Sequence, residues 1–70
     1  MTTRHLKANS RGSWANVLSF DEANGHEVRQ ACEILMWASG ATVSFKITDD
    51  AGVTLASLDA RQRPAVWQIR

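Results

Sequence analysis

A chain of 70 residues, 44% hydrophobic and 21% charged, has the composition of one globular domain and too much apolar content for a disordered segment. Its single cysteine excludes an internal disulfide and a cysteine-based zinc site. No apolar run approaches the roughly 20 residues of a membrane span, and the charged start Met1–Lys7 has no apolar stretch behind it, so neither membrane insertion nor a signal peptide is expected.

A domain this small buries only about 60% of the surface its unfolded chain exposes. Disulfides, metals and partner subunits are the usual supports. With the first two removed, self-association gains weight, and a lone cysteine without an export signal points to the cytoplasm. Charge is unevenly placed. Arg4, Lys7 and Arg11 meet no acid in the first twenty residues, seven acids outnumber Arg29 and Lys46 in the middle, and Arg61, Arg63 and Arg70 close the chain. Such blocks mark either partner surfaces or solvated arms.

Residues 1–12 are expected to be a basic N-terminal arm or edge strand, ahead of a single domain over residues 13–70. Asn9-Ser10-Arg11-Gly12 reads as a turn. Ser13–Phe20 reads as a strand with Trp14, Leu18 and Phe20 on one face and Ala15 and Val17 on the other. Asn24, with Glu27 three residues on, forms a capping-box pattern; Asp21 is the rival cap. The following helix places Val28, Ala31, Cys32 and Leu35 on one face, and Gly40 suits its C-terminal stop.

Ala41–Thr48 alternates cleanly, with Ala41, Val43, Phe45 and Ile47 facing in. Asp49-Asp50-Ala51-Gly52 is a hairpin connection in which Gly52 can take the left-handed position. Val53–Leu58 returns as a strand with Val53 and Leu55 inward and Ala56 and Leu58 outward. After a polar loop from Asp59 to Pro64, Ala65, Trp67 and Ile69 alternate inward in a last strand. The expected fold is α+β in two layers: one helix on a mostly antiparallel sheet of four or five strands, β-α-β-β-β with a possible extra N-terminal strand.

No motif names a reaction, and no cofactor or metal is expected. Cys32 lies on the buried helical face, away from the positive surroundings that favour a thiolate. His5 and His26 read as surface histidines, since no nucleophile and orienting group stand beside either in sequence. Asp49 and Asp50 are consecutive, whereas a calcium loop alternates its ligands. The glycines do not form a phosphate-binding loop, and Glu22 and Glu27 oppose an anion at the helix N-terminus. An enzyme is therefore not expected.

The most telling feature is the last helical turn, Ile34-Leu35-Met36-Trp37-Ala38, which is apolar all the way round. A helix on one side of a sheet needs one apolar stripe, not a ring. Trp37 points away from Val28, and Ile34 lies on the flank. The cover for Trp37 comes either from the N-terminal segment through Leu6 or from another chain. The expected function is a small non-catalytic protein-interaction module that self-associates through Ile34 and Trp37, with the bare sheet face as a second surface. The partner is a second copy or another protein. The alternative is a nucleic-acid-binding module using Arg4, Lys7, Arg11, Arg61 and Arg63, with Trp14 available to stack on a base.

Overall fold

Arg11 and Gly12 both have positive φ, 63° and 86°. This is the backbone that lets a two-residue hairpin follow the twist of its strands. The hairpin joins β1 (Thr3–Ser10) to β2 (Ser13–Asp21), and Asn9 Oδ1 accepts the Gly12 amide at 3.1 Å. A 3₁₀ turn, Glu22–Asn24, leads into α1 (Gly25–Ala38). β3 (Ser44–Thr48), β4 (Thr54–Leu58) and β5 (Gln68–Ile69) follow. These elements come from a computed structural model that describes residues 2–40, 42–61 and 66–69. The inward positions expected of Ala41 and Ala65 lie outside the described residues.

The five strands form one sheet in the order β2-β1-β3-β4-β5, every neighbouring pair antiparallel. With α1 across one face, this is the expected two-layer α+β fold. The N-terminal segment is neither a loose arm nor an edge. As β1 it lies between β2 and β3, and its Leu6 is only 4% exposed. Leu6, Phe45, Ile47, Ala56, Leu58, Cys32 and Met36 dominate the core.

Two strand phases differ from the sequence expectation. In β2 the register skips Val17, since Leu6 pairs with Leu18 but Lys7 pairs with Asn16. The extra residue reverses the alternation. Leu18 stays on the helix side with Leu6, Ala15 joins it opposite Ala8, and Trp14 turns to the outer face opposite Asn9. In β4, Ala56 and Leu58 point inward and Val53 is exposed. Val53-Thr54-Leu55-Ala56-Ser57-Leu58 has apolar residues in both phases, so pairing of Phe45 with Leu58 and of Ile47 with Ala56 decides which face is buried.

The helix is also turned from its expected setting. Its buried stripe is Gly25, Cys32 and Met36, flanked by half-buried Val28 and Arg29, while Ala31 and Leu35 are exposed. A Cβ at Gly25 would stand 3.0 Å from the Arg29 guanidinium, so glycine leaves room for that side chain, and unbranched Met36 fills the gap at the other end. The Asn24 side chain makes no cap; Asp21 Oδ1 instead accepts the Ala23 amide at 3.3 Å. Gly40 has the positive φ expected of it, 76°, as does Gly52 at 84°. Asp49 Oδ1 braces that second hairpin by accepting the Ala51 and Val53 amides at 2.9 and 3.0 Å.

Candidate functional site

Trp37 is 72% exposed and Ile34 68%, with Leu35 beside them at 55%. Because Leu6 is committed to the core, the N-terminal segment does not cover Trp37, and no other described residue does so. The exposed surface has a definite place in the fold. Trp67 Nε1, just before β5, donates to the Arg29 carbonyl at 3.0 Å and so fixes one flank of α1 toward β5. The opposite flank, carrying Ala31 and Leu35, faces the β2 side of the sheet.

There β2 extends beyond the helix. Ala15 is exposed and Leu18 is 47% exposed, although both lie on the helix side. β2 has no charged residue from Ser13 to Phe20. Strand floor and helix wall together form an apolar step topped by Ile34, whereas Trp37, about 200° round the helix from Leu35, is exposed on the flank nearer Trp67. Sequence identified Ile34 and Trp37 from the apolar ring. It missed the contribution of Leu18 and Leu35, which it assigned to the core.

The other sheet face is polar. The register aligns Asn16, Lys7, Lys46, Ser57 and Gln68 in a row across all five strands. Lys46 Nζ stands 4.4 Å from the centroid of the Trp14 ring. The apolar residues expected here, Ala56 and Leu58, are inside, and Ala15 is on the helix side.

The basic residues singled out from sequence do not form one cluster. Arg4 lies on the helix side and bonds Glu22 Oε2 at 2.9 Å, whereas Lys7 projects from the outer face. Arg11 and Arg61 line one shallow hollow with Asn9, Thr42 and Ser44. Arg61 Nε also lies 3.6 Å from Asp59. Arg63 lies outside the described residues.

One polar arrangement was not visible in the sequence. His5 Nε2 donates to Asp50 Oδ1 at 2.6 Å, leaving Nδ1 to accept from the Ser19 hydroxyl at 2.8 Å. These are the three group types of a serine-nucleophile triad. Ser19 is the direct cross-strand neighbour of His5, so β-pairing alone brings them together. The Asp50 side chain is 77% exposed and therefore solvated, unlike the buried carboxylate that orients a catalytic imidazole. The trio clasps β2 and the β3–β4 turn to β1, beside buried Thr48.

Cys32 is 1% exposed. Burial, and then the neighbouring Glu33 carboxylate, push its thiol up to about 11, so it is not a thiolate at neutral pH. Among the described residues, no group of three or more histidine, cysteine, aspartate or glutamate side chains could hold a metal ion. No helix among them is long and apolar enough to cross a membrane. No family model, curated protein or solved structure matches this chain.

Proposed function

We propose that this protein is a small, non-catalytic interaction module that associates with itself through the surface centred on Ile34 and Trp37. The observation that carries this reading is the exposure of both side chains on a helix whose last turn is apolar on every side. Burying one large apolar side chain contributes roughly 1.5–3 kcal/mol, and tryptophan is enriched among residues that dominate interfaces. The lone, protonated cysteine suits a cytoplasmic setting. Sedimentation equilibrium across a wide concentration range tests the reading. The expected result is a concentration-dependent dimer or larger species, weakened roughly tenfold or more by Trp37→Ala with the fold retained. A strict monomer at every concentration overturns self-association.

The outer sheet face supports a second reading, nucleic-acid binding. Lys7 and Lys46 stand directly opposite each other, an arrangement that costs stability unless an anion lies between them. Trp14 beside them offers a ring for a base. This reading moves the expected site from the two termini to the middle of the sheet. It predicts binding of mixed single-stranded DNA or RNA that falls steeply with salt and is lost in Lys7→Ala and Lys46→Ala. No binding at low salt removes it.

A further inference from the structure

We propose that a second copy of this chain supplies the helix that the sheet lacks. Its α1 lies in the step between α1 and β2, while this chain's α1 lies in the same step of the second copy. The proposal rests on the self-association reading above and specifies which surfaces meet.

The dimensions carry the argument. Strands lie about 4.8 Å apart, so five span about 20 Å, whereas one helix with its side chains is only about 10–12 Å across. The inward residues of β1, β3 and β4 are buried beneath α1, and Trp67 joins its flank to the β5 side. β2 remains bare. It lies two strand spacings from β3, about 9.6 Å, which matches the 8–10 Å between packed helices. A second helix placed beside α1 therefore rests on Ala15 and Leu18.

The helix that fits must be apolar toward both β2 and α1. α1 itself has that character along Ala31, Ile34, Leu35 and Ala38, and it carries no charge from Ile34 to Ala38. A two-fold axis running along the helices satisfies both chains at once. It sets the helices side by side in one layer between two sheets and brings the second β2 over Ile34. The interface is then isologous, the commonest form of closed dimer.

The area is of the right order as well. Leu18, Ile34 and Leu35 are about half exposed or more, and Ala15, Ala31 and Ala38 are exposed beside them. At ordinary side-chain areas they offer roughly 400 Å² of apolar surface per chain, close to the apolar share, a little over half, of the ~800 Å² that each partner gives to a standard interface. A patch of this size is comparable with the largest on a typical monomer.

The test places a charge on each half of the contact and compares sedimentation equilibrium for Leu18→Asp, Ile34→Asp and the control Val53→Asp, which lies on the distant β3–β4 hairpin. The expected result is loss of roughly 30-fold or more in dimer affinity for the first two and an unchanged dimer for the control. Circular dichroism and a thermal melt check that each variant folds. If Leu18→Asp fails to fold, a chain carrying Leu18→Cys and Ile34→Cys decides. Oxidation should give a covalent dimer from this chain at concentrations where the native chain dimerises, and none from either single variant. A dimer lost in Ile34→Asp but intact in Leu18→Asp, or a double-cysteine chain that stays uncoupled, overturns the proposal and leaves self-association standing. A native chain that never dimerises overturns both.

Discussion

The indole of Trp67 donates to the main-chain carbonyl of Arg29 across 38 residues of sequence. An Arg29 carbonyl already engaged by its own helix has a second lone pair for this bond. The contact determines which part of the sheet α1 covers, since it holds the helix toward β5 and away from β2. Trp67→Phe keeps most of the packing and removes the donor. The expected cost is about 1 kcal/mol, read as a lower urea midpoint with an unchanged slope. A cost indistinguishable from zero would mean that packing alone sets the helix position.

Much of this architecture is legible because strong local signals agree with tertiary packing. Phe45 and Ile47 alternate in a clean strand, Gly40 and Gly52 mark stops that require positive φ, and Cys32 sits on the buried stripe. The errors arise where local signals are ambiguous. β4 is apolar in both phases, and only its partner strand chooses between them. The bulge at Val17 leaves no composition signature, yet it separates Trp14 from Leu18. Helix rotation depends on what Met36 fills, a three-dimensional matter. Ile34 and Trp37 were identifiable because no rotation of a single-sided helix buries a full ring. The His5 clasp joins residues brought together only by strand register and a turn.

Arg11 is a non-glycine residue held at φ 63°, a conformation that asparagine tolerates better. Arg11→Asn creates the Asn-Gly pair favoured in this hairpin type. It should stabilise the chain by about 0.5–1 kcal/mol, measured by chemical denaturation. Lower stability would show that the Arg11 side chain contributes more than its backbone costs.

The raised Cys32 value has a defined consequence for pH. Folding favours the neutral thiol, so its contribution is fully present below the unfolded-state value near 9 and is lost as pH rises toward about 11. The unfolding midpoint of the native chain should fall more steeply over that window than that of Cys32→Ala. Other groups titrate there too, so the difference between the two chains is the measurement. In the folded protein at pH 8, iodoacetamide should modify Cys32 slowly, and urea should release it. Rapid modification without urea would contradict the burial assigned to this thiol.

The Ser19–His5–Asp50 trio offers the sharpest separation of structure from chemistry. As a clasp it joins β2 and the β3–β4 turn to β1 through two hydrogen bonds. Ser19→Ala should then cost about 0.5–1.5 kcal/mol. His5→Ala should cost more, because both bonds go at once. A fluorophosphonate reagent should leave Ser19 unmodified, since an exposed carboxylate orients the imidazole weakly. Rapid labelling at Ser19 that disappears in both His5→Ala and Asp50→Asn would reverse the assignment. The hydroxyl would then be an activated nucleophile, and the protein could no longer be described as non-catalytic.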